Sequence, residues 1–164
     1  MNRRRAMAAM GLAVTNLSKT GGLVGVWTLV SCEREMRGGR IDRPLGEKPV
    51  GRLIYDAGGR VSVQLMRAGR RAESAKAART SWEAAEIATC DEIREMVAGY
   101  LAYFGTYEVD EATRTVSHTV LGSLIPAWVG TNRKRTYELE GDALRMTLRR
   151  GETTERYIWQ RDVG

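Results

Sequence analysis

Several things are scarce in this 164-residue chain, and each scarcity removes a class of chemistry. His118 is the only histidine, and no GxSxG elbow accompanies it, so a hydrolytic triad has little to be built from. HExxH, a P-loop and a GxGxxG opening a helix are also missing, which argues against metal hydrolysis, and the glycines at 21, 22 and 25, lying before a strand, say nothing about nucleotides. Cys32 and Cys90 are the only cysteines and stand far apart, with no CxxC and no histidine-rich neighbourhood, so a structural zinc site lacks ligands. Two buried free thiols in a reducing cytosol is the plainer reading of the pair, since a chain of this length needs no staple; a single disulfide in an exported protein is the other. The longest uncharged apolar stretches, Ala6 to Val14 and Leu23 to Val30, are nine and eight residues long, against the roughly 18 that a spanning helix needs. No transmembrane segment is expected.

A continuous basic face is lacking too, although the net charge is +6. Residues 1–20 hold Arg3, Arg4, Arg5 and Lys19 with no acid, and residues 67–79 hold five bases against Glu73 alone, so each segment contributes +4 and the remainder carries −2. Charge confined to a terminus and one loop is not the stripe that nucleic acid requires, and no nucleic-acid partner is expected. The composition, 43% apolar and 28% charged, is that of a soluble globular chain with one core.

Arg3 to Arg5 followed by Ala6 to Val14 imitates a secretory signal, but no small-x-small cleavage site follows and the apolar run is mostly Ala and Met. Residues 1–20 are therefore read as a flexible or lid-like extension, residues 21–164 as the folded domain, and the location as cytoplasmic rather than exported. The domain is expected to fold without the extension.

From Gly21 onward the pattern is one of short strands and turns. Strands are expected at Leu23 to Arg34, Gly51 to Tyr55, Val61 to Met66, Tyr100 to Asp110, Thr115 to Leu124, Arg133 to Glu140, Ala143 to Arg150 and Thr154 to Gln160. Pro44 and Pro49 bar regular pairing between the first two. Asp56-Ala57-Gly58-Gly59 is a hairpin signal, because glycine supplies the positive φ such turns demand. The later connections, Asp110 to Arg114, Glu140-Gly141-Asp142 and Gly151-Glu152, are turn-sized and polar. Eight strands in hairpin succession predict an all-β fold, an up-and-down antiparallel barrel, since closure removes exposed edges.

Residues 80–98 break the pattern. Thr80 and Glu83 fit a capping box, and Ile87, Cys90, Ile93 and Val97 recur at helical spacing before Gly99, which predicts one amphipathic helix. With Glu86, Asp91, Glu92 and Glu95 on its outer face it is either a lid or plug over a barrel mouth, facing the basic segment 67–79, or a helix packed on the barrel wall.

Leu23 to Ser31, Val50 to Tyr55 with Val61 to Met66, Gly99 to Val109, and Gly122 to Thr131 together resemble the bacterial and fungal lipocalin-like domain family, in the expected order over residues 21–161. The resemblance implies a lipocalin-type barrel whose centre encloses a small apolar ligand. It also implies that Gly25-x-Trp27 is the glycine-x-tryptophan element closing the barrel floor, with Arg161 as the arginine lying over the indole, a structural contact rather than a catalytic one.

Side-chain alternation then groups the polar residues that strands could turn toward a lumen. Tyr103, Gly105 and Tyr107 share one face, Val116, His118 and Val120 another, Arg135, Tyr137 and Leu139 a third, and Ser62, Gln64 and Met66 a fourth. Alternation alone leaves open which face points inward. The candidate ligand-binding set is Tyr55, Gln64, Met66, Tyr100, Tyr103, Gly105, Tyr107, His118, Trp128, Arg135 and Tyr137. Gly105 is read as small to leave room for a ligand between two tyrosines, so that Gly105→Leu should fold yet lose cavity volume.

Two functions fit. One is a barrel that holds a small hydrophobic or aromatic molecule without turnover. The other is a cofactor-independent isomerase or cyclase acting on a polyketide- or terpenoid-like substrate of secondary metabolism, with His118 or Tyr103 exchanging a proton and Arg135 stabilising an enolate. Binding is favoured because no constellation forces chemistry. Three polar groups within hydrogen-bond reach inside the lumen would reverse that order, and a lumen of Val, Leu and Met alone would exclude an enzyme. No cofactor and no metal is expected under either reading, and homo-oligomerisation is left open.

Overall fold

A computed structural model describes residues 22–70 and 80–163 of the chain. The extension expected over residues 1–20 and residues 71–79 of the basic segment lie outside the described residues.

Nine strands run in the order β1 (Gly25–Glu35), β2 (Ile41–Asp42), β3 (Val50–Tyr55), β4 (Arg60–Met66), β5 (Tyr100–Asp110), β6 (Thr115–Ser123), β7 (Asn132–Glu140), β8 (Ala143–Arg150) and β9 (Thr153–Arg161). Every pairing is antiparallel, and from β3 to β9 each strand pairs with the next in sequence. β1 pairs with β3 on one side and with β9 on the other, which closes an eight-stranded up-and-down barrel. Closure leaves no free edge among those eight strands. The two-residue β2 is an addition to the expected pattern. It pairs only with the end of β1, where Arg34 and Asp42 form an ion pair at 2.7 Å, and it ends before Pro44 can interrupt the ladder.

The interior follows the two-residue alternation of each strand. Leu53 and Tyr55 on β3, Val61, Val63 and Leu65 on β4, and Val116, His118 and Val120 on β6 are buried. On β1 the buried set runs Trp27, Leu29, Cys32, because a bulge between Leu29 and Ser31 shifts the parity by one residue.

The floor is the region round Trp27. Trp27 is fully buried and donates from its indole N–H to the Leu23 carbonyl at 2.9 Å, while the Arg161 guanidinium lies 4.1 Å from the ring centroid. Arg161 also donates to the carbonyls of Val24 and Gly22 at 2.7 and 2.9 Å. A Cβ on Gly25, whose φ is +143°, would meet the Arg161 Nη1 at 2.7 Å, which accounts for the glycine.

The helical insertion is present between β4 and β5, but in two pieces, α1 (Ser81–Ile87) and α2 (Cys90–Ala98). The sequence Thr89-Cys90-Asp91-Glu92 is itself a capping box: Thr89 Oγ1 accepts from the Glu92 N–H, and the Glu92 carboxylate accepts from the Thr89 N–H at 2.9 Å. Starting a new helix requires an extended Thr89, so the first must stop at Ile87. Thr80 caps α1 as expected. Neither helix has a buried residue or lines the central cavity, so the insertion is no plug. α2 is tied to the barrel flank instead: Arg70 donates to the Met96 carbonyl at 2.6 Å with its guanidinium over the Tyr100 ring, and Arg67 pairs with Glu95 at 3.5 Å. No described helix is long and apolar enough to cross a membrane.

Candidate functional site

A cavity of about 150 Å³ occupies the half of the barrel away from the Trp27 floor. Its apolar wall comes from Leu53 on β3, Val63 and Leu65 on β4, Leu101 on β5, and Met146 and Leu148 on β8, with Trp159 of β9 below. Polar groups converge from the facing strands: Tyr103 of β5, His118 of β6, Arg133 and Arg135 of β7, Arg150 of β8, and Glu155 and Tyr157 of β9. Trp128, held on the 3-10 turn Pro126–Trp128 between β6 and β7, stands at the rim with the Arg133 guanidinium 3.5 Å from its ring centroid.

At the centre of the polar side lies a four-residue network. The His118 Nε2 is 2.6 Å from the Tyr55 hydroxyl, and its Nδ1 is 2.6 Å from Arg135 Nη1 and 2.9 Å from the Tyr103 hydroxyl. Arg135 Nη2 donates to the Tyr103 oxygen at 3.0 Å. Arginine can only donate, so Nδ1 accepts, and the neutral ring carries its proton on Nε2 and donates to Tyr55. Burial and the neighbouring Arg135 charge push the His118 pKa well below its ordinary value, so the ring is neutral at neutral pH. Nδ1 has one lone pair and faces two donors, Arg135 and Tyr103. One of them is therefore available to an acceptor in the cavity.

Burial raises the pKa of the phenols of Tyr55, Tyr103 and Tyr157, the Arg135 charge opposing it in each case, and all three stay protonated at neutral pH. Burial works against the Arg135 charge, the hydrogen bond to the Tyr103 oxygen favours it, and the guanidinium stays cationic.

Of the residues singled out from the sequence, the fold brings Tyr103, His118, Trp128 and Arg135 together on this cavity. Tyr55 and Tyr107 sit beneath His118 as packing. Their rings meet edge to face at 4.6 Å, and the Tyr107 hydroxyl donates to the Asp56 carbonyl at 2.9 Å. Tyr137 is buried one step closer to the floor and does not border the cavity.

Gln64, Met66 and Tyr100 are not brought to it. Val61, Val63 and Leu65 take the inward face of β4, so Gln64 and Met66 turn outward and, with Tyr100, border a shallow groove on the outside of the barrel. The Gln64 amide donates to Ser62 there at 2.7 Å. Gly105 faces inward, but no ligand space explains it. The ladder shifts register between Phe104 and Gly105, and a Cβ at this position would lie 1.9 Å from the Thr119 carbonyl oxygen. The glycine admits the backbone of β6, and a leucine there would strike main chain.

Arg133, Arg150, Glu155 and Tyr157 were missed by sequence reasoning. Arg133 was legible, being two residues from Arg135 on one strand face. Glu155 and Tyr157 likewise share a face with Trp159. Arg150 gave no local signal.

A family model for the lipocalin-like domain matches residues 24–161. The chain belongs to that family. A curated relative of this lipocalin-like barrel, the 4'-hydroxy-3'-methoxypropiophenone carrier protein ppsC of Aspergillus oryzae, is 34% identical over 65 residues, which are 36% of this chain and 59% of that protein. The chain thus aligns with about three fifths of that relative's length. Among solved structures, a chain described as the REP1-NXSQ fatty acid transporter superposes over 87% of this chain and 98% of its own at 14% identity and a TM-score of 0.41. Cys32 and Cys90 are both free, but only Cys32 is buried as expected; Cys90 is exposed because it opens α2, a helix that buries no residue.

Proposed function

We propose that the barrel binds a small molecule built around one aromatic ring and holds it without turnover. The observation that carries this reading is the cavity itself, about 150 Å³ with an apolar wall on one side and a fixed cluster of donors on the other. An apolar cavity of about this volume accommodates a benzene-sized guest. The ring would lie against Met146, Trp159 and Trp128, and an oxygen on it would accept from Tyr103 or Arg135. The name of the partly aligned relative, a carrier of an aromatic ketone, supports the same class.

Calorimetric titration with acetophenone, the probe nearer the size of the cavity, tests the reading, with 4'-hydroxy-3'-methoxypropiophenone as a larger second probe. Saturable binding is expected. Leu148→Phe, which fills the cavity from β8, should weaken that binding while the melting temperature holds. Absence of saturable binding, or unaltered affinity in a folded Leu148→Phe variant, rejects it.

One observation favours a second reading. Tyr103, His118 and Arg135 are three polar groups within hydrogen-bond reach on the cavity, the arrangement expected to put an enzyme first, and the Tyr103–Arg135 pair is suited to stabilising an enolate. Against it, both ring nitrogens of His118 are engaged and its basicity is suppressed, so the cluster is better at orienting a carbonyl than at taking a proton. Deuterium exchange at the carbon next to the carbonyl, followed by NMR in D2O, separates the two: catalysed exchange supports an isomerase, and its absence alongside binding supports a carrier.

A further inference from the structure

The cavity is rich in cations and poor in anything to neutralise them. Arg133, Arg135 and Arg150 all line it, and none makes an ion pair within 4 Å among the described residues. The one carboxylate on the wall, Glu155, accepts from the Tyr157 hydroxyl at 2.6 Å. The hydrogen-bond partners of Arg135 are all neutral: a histidine held uncharged, the hydroxyl of Tyr103 and the Arg133 carbonyl. A part-buried cation without a counter-charge is costly, and a protein commonly supplies a carboxylate to it.

The unsatisfied atoms point the same way. Among the described residues, three buried side-chain polar atoms lack a hydrogen-bond partner, and two of them, Arg133 Nε and Trp159 Nε1, belong to residues on this cavity. Trp159 is only 2% exposed, and its indole N–H, shielded from bulk solvent, has no protein acceptor among the described residues. Both orphans are donors. Two part-buried cations, Arg133 and Arg135, an exposed third at Arg150 and two unsatisfied donors around one small space call for a guest that brings acceptors and negative charge.

Resting on the ring-binding reading above, we infer that the guest is an anion, an aromatic carboxylate. Its ring fills the apolar half of the cavity, and its carboxylate is held by Arg135 and Tyr103 with Arg133 or Arg150 as the second cation. Guanidinium and carboxylate match in a two-pronged arrangement that a neutral ketone cannot use. The limited volume restricts the class to about one ring with a short side chain, which sets aside long-chain acids.

The test compares trans-cinnamate with cinnamamide, the same skeleton without the charge, by calorimetry at pH 7 and low salt. The acid should bind at least about tenfold more tightly, the usual scale for a charge-assisted bond over a neutral one, and the preference should shrink as salt rises. In Arg135→Met, checked for folding by circular dichroism, the acid-to-amide ratio should fall toward one, and it should fall in one of Arg133→Met and Arg150→Met, whichever supplies the second cation. Equal affinities for acid and amide overturn the anion inference and leave the ring-binding barrel standing. Binding of neither probe overturns both. A preference for the acid that survives in the folded Arg135→Met variant places the carboxylate elsewhere and overturns the assignment.

Discussion

Gly105→Ala adds one methyl group to the middle of a barrel strand, and the structure predicts a cost out of proportion to its size. The new Cβ would stand 1.9 Å from the Thr119 carbonyl oxygen, 2.9 Å from its carbonyl carbon and 3.2 Å from the Leu121 nitrogen. All three are main-chain atoms of β6, held in the ladder on one side by β5 and on the other by β7. A side chain could rotate away, but this backbone can retreat only by breaking pairing. The cost should therefore reach or pass the upper end of overpacking penalties, about 3 kcal/mol, which in a domain of this size lowers the melting temperature by about 6 to 12 °C. Gly122, one register position away, is the control. A Cβ there would meet the Phe104 ring at 2.5 Å, but Phe104 is 58% exposed and free to swing outward. Gly122→Ala should cost less than about 1 kcal/mol. Thermal unfolding of both variants followed by circular dichroism decides the matter. If Gly105→Ala melts within about 2 °C of the parent, the backbone contact is not what keeps the position small.

Three further outcomes are expected. Because the folded-state pKa of His118 is depressed, the unfolded chain takes up a proton below about pH 6.5 that the native barrel refuses, so stability is intact above that pH and falls as the pH drops below it, by about 1 kcal/mol between pH 7 and 5.5. His118 is the only histidine, so urea titrations of His118→Gln should lack this loss, and an unchanged slope would refute the assignment. Thr89→Ala removes the α2 capping box at about 1 kcal/mol, and since the helix buries no residue, amide exchange should rise about fivefold in Cys90–Ala98 while the barrel's melting temperature is unaltered. Burial, chiefly, with the Glu155 charge behind it, pushes the Cys32 thiol up to about 12, so a disulfide-exchange reagent at pH 8 should titrate the exposed Cys90 alone in native protein and both thiols in denaturant.

The strand order and closure were legible because they are written locally. Polar turns such as Glu140-Gly141-Asp142 and the glycines at Asp56–Gly59 leave adjacent strands no geometry but a hairpin. Eight such strands must then close to dispose of their edges. The motif Thr89-x-x-Glu92 was equally local and carried the helix break, but the apolar spacing of Ile87, Cys90, Ile93 and Val97 ran across it and suggested one continuous helix. Trp27 and Arg161 could be paired through the family resemblance, although the chain between them spans the whole barrel.

What the tertiary structure alone decided is which chemistry meets in the middle. His118 touches Tyr55 across 63 residues of sequence, and Arg135 reaches Tyr103 across 32, contacts that exist only because β3, β5, β6 and β7 curve round one axis. Alternation assigns residues to two faces of a strand, but the inward one is chosen by the whole barrel. On β4 that choice put Val61, Val63 and Leu65 inside and sent Gln64 out, since burying a polar amide without partners costs more than exposing it. Gly105 shows the same limit at atomic scale. Its smallness answers to the carbonyl of Thr119, a backbone atom that no reading of side chains along one strand can foresee.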